Sequence, residues 1–170
     1  MHIIIDTREH EKERKRIEKQ FDNLGVTYER RKLDTGDYMS PENPMITIDR
    51  KKDLLELCGN VTQQHERFRK ELERALHPKS GDPIKLIILC EHGEDIKRLE
   101  DVYFWENPRR KPTEWVIRDG HPCKVPKNER ATTGPQLYKS LCTIRDKYKV
   151  DFYFCTKDKT GSEIVRLLMR

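Results

Sequence analysis

No CxxC pair occurs in this chain of 170 residues, and its five cysteines (Cys58, Cys90, Cys123, Cys142, Cys155) are odd in number and widely spaced. That pattern argues against a disulfide framework and against a zinc site. Reduced thiols in a cytoplasmic, intracellular setting fit it best. His121 and Cys123 come nearest to a metal cluster, but no second pair stands at ligand spacing. No apolar run approaches the roughly 20 residues of a membrane span. The N-terminus has no signal-peptide pattern, so a soluble protein is expected. Internal repeats and low-complexity tracts are also missing. What the chain does have is charge: 38% of its residues are charged against 34% apolar. It should fold with a densely charged surface. The net charge of +5 is only a weak pointer to an anionic partner, so local clustering must carry that inference.

The length suits one domain, 1–170, with a single core. His2 to Ile5 reads as a buried strand that runs into Asp6. Ile17, Phe21 and Leu24 recur at helical spacing, and Gly25 can end that helix. Val26 to Leu33 predicts a second strand, Gly36-Asp37 a turn, and Pro41 and Pro44 a loop before a strand from Met45 to Ile48. A short helix with Leu54, Leu55 and Leu57 should stop at Gly59, and a longer one should present Phe68, Leu72, Ala75 and Leu76 on one face. Ile84 to Leu89 is the clearest buried strand. Thr133 can cap a helix striped by Leu137, Leu141, Ile144 and Tyr148. A last strand (Val150 to Cys155) and a last helix (Thr160 to Met169) follow. Strands alternating with helices imply an α/β fold with a mixed central sheet flanked by helices.

The segment from Gly36 to Lys51 carries the chemistry. Asp37 sits at a turn, and the strand after it ends in Asp49, Arg50 and Lys51. Two carboxylates and an ammonium at one strand end can hold a hard divalent cation beside a phosphodiester. Magnesium prefers oxygen ligands and is usually held by one or two carboxylates plus substrate phosphate. Asp37 and Asp49 suit that role, with the Arg50 carbonyl as a third ligand, while Lys51 would orient the attacking water or offset phosphate charge. Asp6, in Asp6-Thr7-Arg8-Glu9 at the end of the first strand, is either a further ligand or, with Thr7 as the alternative, the cap of the next helix. The helix bearing Gln63, Gln64 and Arg67 follows closely enough to lean polar groups over the same site.

With IIIDTRE, LDTGDYM and ITIDRK in this order, the first 91 residues or so resemble the XPF/Hef family of structure-specific endonucleases, a branch of the PD-(D/E)xK nucleases with a restriction-endonuclease-like core. The resemblance implies an acidic metal site of Asp6, Asp37 and Asp49 for Mg2+ or Mn2+, with Lys51 as catalytic lysine and Arg8 and Arg50 as supporting charges. Two departures stand out. The family's triplet is usually Glu-Arg-Lys, and here aspartate is one methylene shorter; the family's aspartate four residues after the lysine is Leu55, with Asp53 nearby but out of register. The chain has no P-loop and no room for a tandem helix-hairpin-helix module, which would suit a phage or prokaryotic protein.

Between Asn107 and Arg130 the composition changes to four prolines (Pro108, Pro112, Pro122, Pro126) and a surplus of basic residues. Trp115 to Arg118 and the turn Asp119-Gly120 suggest a hairpin or flap. Arg109, Arg110, Lys111, Trp115, Arg118 and Lys124, with Arg67 from the preceding helix, are the expected DNA contacts, because basic side chains track phosphates and an aromatic can stack on an unpaired base. The expected activity is cleavage of branched or flapped DNA; the resemblance implies a homodimer, for which the apolar faces of the last two helices are candidate surfaces. The rivals are a Holliday-junction resolvase or restriction-type nuclease on the same core, and a catalytically silent DNA-binding or dimer-partner subunit.

Overall fold

In chain order the elements are β1 (His2–Ile5), α1 (Glu11–Asn23), β2 (Thr27–Arg30), β3 (Tyr38–Ser40), β4 (Asn43–Lys51), α2 (Leu54–Thr62), α3 (His65–Leu76), β5 (Lys85–Glu91), β6 (Thr113–Arg118), β7 (His121–Pro126), α4 (Gly134–Tyr148), β8 (Asp151–Cys155) and α5 (Thr160–Leu168). Short 3-10 turns at Leu99–Phe104 and Pro108–Arg110 separate β5 from β6. The structure is a computed structural model that describes residues 1–78, 81–111 and 113–170; Pro112 of the basic segment lies outside the described residues.

Six strands form one sheet in the order β2-β1-β3-β4-β5-β8. The pairs β1/β2, β4/β5 and β5/β8 are parallel, and β1/β3 and β3/β4 are antiparallel, so the sheet is mixed as expected. Each parallel pair needs a crossover, which α1 supplies for the first and α2 with α3 for the second. Helices cover both faces. On one, Ile17 and Phe21 of α1 and Ile164 and Leu167 of α5 pack on Ile3, Ile5, Ile48, Ile87 and Leu89. On the other, α2, α3 and α4 bring Leu54, Leu57, Phe68, Leu72, Leu137 and Leu141 onto Leu86, Ile88 and Cys90. β5 feeds both cores with alternate residues, which is why its sequence is apolar throughout.

Several boundaries differ from expectation. Gly59 does not stop the helix; α2 continues to Thr62, because burial of Leu54, Leu57 and Cys58 outweighs the cost of glycine, about 1 kcal/mol. Pro44 lies inside β4 rather than in a loop; pairing with β5 begins only at Ile46, so its missing N–H costs that ladder nothing. The cap at Thr133 is present, with Gln136 returning the bond to complete a capping box. The apolar faces of α4 and α5, expected as dimer surfaces, are spent instead on the protein's own core: Leu137, Leu141, Ile164, Leu167 and Leu168 are all buried.

Separately, among the described residues β6 and β7 pair only with each other, closing through Asp119 (φ 50°) and Gly120 (φ 79°). Two successive positive φ values suit the right-handed twist of a two-residue hairpin turn. No helix among the described residues is long and apolar enough to cross a membrane.

Candidate active site

Asp37 is placed by backbone bonds on both sides. Its N–H donates to the Ile48 carbonyl at 2.7 Å, and its own carbonyl accepts from the Asp6 N–H at 2.8 Å, so the residue is stitched between β4 and β1. Gly36 makes the approach possible. Its φ is +73°, and a Cβ there would stand 2.3 Å from Thr47 Oγ1 and 3.0 Å from the Ile48 carbonyl oxygen. Only glycine combines that backbone with that proximity. The Asp37 side chain then turns to the end of β4, where its Oδ2 accepts from the Arg50 N–H at 2.8 Å.

The strand's twofold alternation sends the three residues of its terminal triplet to opposite faces. Lys51 lies on the α3 face, its Nζ 5.5 Å from the centre of the Phe68 ring, and donates to Asp49 Oδ1 at 2.8 Å. Arg50 points to the α1 face and is buried between two carboxylates, Glu9 (2.8 Å) and Glu91 (3.4 Å). Glu91, fully buried, also meets Arg16 of α1 and accepts from the Thr160 hydroxyl at 2.7 Å. Tyr38 donates its hydroxyl to Glu9 at 3.3 Å. Arg50 is thus held by Glu9 from the segment after β1 and by Glu91 from the end of β5, and Glu91 in turn is tied to α1 and α5.

A cleft of about 470 Å³ opens where these groups meet, lined by Glu9, Glu13, Asp37, Asp49, Glu56 and Glu71 together with Arg8, Arg50, Lys51, Lys52, Arg67 and Arg74. None of the six acids is exposed, whereas all the bases except Arg50 and Lys51 are. The floor is negative and the rim positive. Burial first, and then the charges of Asp49 and Glu9, hold the Asp37 carboxyl well above the usual carboxylate range. Glu71 on α3 is raised for the same kind of reason, burial and then Asp49. Burial alone would lower the Lys51 ammonium, but the paired charge of Asp49 outweighs it and holds the group above its ordinary value. Lys51 thus stands beside Asp49 as a positively charged donor.

The floor suits a cation by its donor set. Among the described residues no group of three or more His, Cys, Asp and Glu side chains stands ready as a metal cage. Magnesium needs less, since one or two carboxylates with waters and substrate phosphate suffice. Asp49 Oδ2 is buried without a hydrogen-bond partner, although it faces Lys51 Nζ at 2.6 Å. The Lys51 ammonium already compensates that oxygen, which keeps lone-pair capacity for a cation.

Asp6 does not line the cleft, and it neither caps α1, whose cap position is His10, nor offers a free oxygen. Its Oδ1 accepts from the Arg8 N–H and Nε, both at 2.7 Å, and its Oδ2 from Arg8 Nη2 at 2.9 Å and the Leu33 N–H at 2.6 Å. It clamps the end of β1 to the segment after β2. Arg8, its partner, reaches the rim. Asp53 is the cap of α2, accepting from the Glu56 N–H at 2.7 Å. From the sequence Glu9 has a place only in the first helical turn, and Glu71 and Glu91 have no role. Glu9 was visible inside the DTRE block, but nothing in the spacing of Glu71 or Glu91 ties either to the end of β4. Of the expected DNA contacts, Arg67 lines the cleft; Arg110 is bound to the carbonyls of Glu129 and Ala131; Arg118 pairs with Glu129; Arg109, Lys111 and Lys124 are exposed. Trp115 is 71% exposed and stands opposite Lys124 in the hairpin, away from the core.

This mixed sheet with helices on both faces is the fold of XPF nuclease domains. A structure of XPF from Aeropyrum pernix in complex with DNA superposes with a TM-score of 0.61 at 18% identity, covering 99% of this chain and 63% of that one. A second structure of XPF from Aeropyrum pernix gives 0.61 at 19%, covering 99% and 60%. The chain thus spans less than two thirds of either. Among curated proteins none matches. The model of the ERCC4 domain matches residues 5–168. The chain belongs to the ERCC4 domain family.

Proposed function

We propose that this chain is a magnesium- or manganese-dependent endonuclease that hydrolyses phosphodiester bonds in branched or flapped DNA. The observation that carries the reading is the convergence of Asp37, Asp49 and Lys51 on one cleft with a buried acidic floor and an exposed basic rim. Family membership supports it, as does the complex of XPF from Aeropyrum pernix with DNA.

Asp37 and Asp49 would hold the cation, with the Arg50 carbonyl and Glu71 as further oxygens within the same cleft. When bound, the metal supplies an activated water and charge stabilisation at the phosphoryl oxygens. The protein's own groups do the rest. Lys51, kept protonated by Asp49, neutralises charge that builds on the phosphate and orients the nucleophile. Arg8, Arg67 and Arg74 meet the flanking phosphates at the rim, while Arg50, gripped by Glu9 and Glu91, keeps the end of β4 rigid so that both aspartates stay in register. The proposed homodimer must pair through a surface other than the buried apolar faces of α4 and α5.

The test is cleavage of flap, fork, four-way junction and linear duplex DNA by the purified protein with Mg2+ or Mn2+. Asp37→Asn, Asp49→Asn and Lys51→Ala should each abolish cleavage while leaving the fold and much of the DNA affinity intact. Preference for the four-way junction or for linear duplex would move the protein to a resolvase or restriction-type nuclease. If no substrate is cut, the chain is a DNA-binding or dimer-partner subunit.

A further inference from the structure

Two recesses outside the cleft adjoin each other and share Asn107 in their walls. The first, about 290 Å³, lies between the end of α2 and the basic loop; Thr62, Gln63, Arg109, Asn128 and Arg130 line it, and no acid does. Arg109 and Arg130 are exposed and have no acidic partner among the described residues. The second, about 390 Å³, lies over the start of α4 between Tyr103, Phe104 and Pro135, with Arg110, Lys111 and Glu106 also in its wall. Phe104 is 80% exposed. Its ring stands edge-on to Tyr103 at 5.3 Å, and Tyr103 stands edge-on to Tyr138 at 6.1 Å. An aromatic ledge braced in this way is preorganised, yet its outer face has nothing against it.

The α2–α3 junction links the track to the reaction cleft along the chain. Arg67 in the first turn of α3 lines the cleft, and Gln63, just before α3, lines the first recess. Unopposed guanidinium groups set among amide and hydroxyl side chains suit successive phosphates, and an exposed ring beside them suits a flat base rather than an apolar peptide.

We infer that this track binds a single-stranded DNA arm of the substrate, with Arg109 and Arg130 on its phosphates and one base stacked on Phe104. The inference rests on the nuclease reading and goes beyond it by giving the unpaired strand its own seat, outside the cleft. Fluorescence anisotropy in EDTA, where no cutting intervenes, tests it with three labelled probes: oligothymidine, a blunt duplex, and a fork that combines them. Phe104→Ala and the double variant Arg109→Gln/Arg130→Gln should bind oligothymidine and the fork about tenfold more weakly and leave the blunt duplex nearly unchanged. The arginine variant should also flatten the salt dependence on oligothymidine. All three side chains are exposed, so thermal melts should match wild type. Equal losses on blunt duplex would reduce the track to a nonspecific basic patch, and unchanged oligothymidine binding would hand the ledge to a protein partner. Either overturns the inference. A wild type that grips the arm but cuts nothing would instead fail the nuclease reading alone.

Discussion

Replacing Asp6 with asparagine separates two roles that look alike in the sequence. As a metal ligand, Asp6 would be needed for cleavage and of little consequence for folding. As the clamp described above, it should show the reverse. Asparagine keeps the shape but turns one acceptor into a donor that faces either Arg8 or the Leu33 N–H. The Arg8 side chain is 59% exposed, so the lost ion pair counts for about 0–1 kcal/mol after screening by solvent. A buried Leu33 N–H left without a partner costs about 1–3 kcal/mol. Weakening of the bond from the Arg8 N–H adds roughly 0.5–1 kcal/mol. The sum is about 1.5–5 kcal/mol, or roughly 3–20 °C in Tm for a chain of this size.

The pH dependence of that difference follows from the sign of the shift. Burial would raise the Asp6 carboxyl, but the bonds from Arg8 and Leu33 prevail and hold it below the ordinary value of 3.8. Its stabilisation is therefore complete above that value and is lost as the pH falls through the lowered folded-state value. Calorimetric melts of wild type and Asp6→Asn should differ fully at neutral pH and converge in acid. Cleavage assayed well below both melting temperatures should stay within a few-fold of wild type. A variant with wild-type Tm and no activity would refute the clamp and return Asp6 to the metal site.

Asp37→Asn should raise Tm at neutral pH while abolishing cleavage. Asp37 is held above its usual range in the fold, so its ionisation opposes folding as the pH rises, and the amide still accepts from the Arg50 N–H; a lower Tm at neutral pH would contradict this. Gly36→Ala should cost at least about 1–2 kcal/mol from the left-handed backbone alone, with the clash at Thr47 in addition, and lose activity by displacing Asp37; urea melts and single-turnover assays read both. Glu91→Ala should destabilise by about 3–5 kcal/mol, because it strips buried Arg50 of one carboxylate and Thr160 and Arg16 of their partner. Glu71→Gln should weaken Mg2+ binding measured by calorimetry while leaving Tm equal or higher, since it removes a carboxylate raised by its neighbours.

Most of the architecture was legible because it rests on local pattern. The β-branched run of β1, the unbroken apolar stretch of β5, the stripe of α4 and the Asp119-Gly120 turn each state their own geometry within a few residues. Where the pattern misled, a tertiary term had won: burial of Leu54 and Leu57 carried α2 through Gly59, and the start of the β4/β5 ladder at Ile46 let Pro44 stay in a strand. The three blocks around Asp6, Asp37 and Asp49 were sufficient to propose a nuclease.

Chain order alone could say which acids were near one another along the backbone, but only the folded sheet could say which oxygens remained free. Asp6 has the right neighbours in sequence, yet four donors consume its carboxylate; Glu71, twenty residues beyond Lys51 along the numbering, comes to the same cleft because α3 crosses the end of β4. Hydrogen-bond saturation and desolvation depend on every group packed around an atom, and those groups come from strands and helices far apart in the chain.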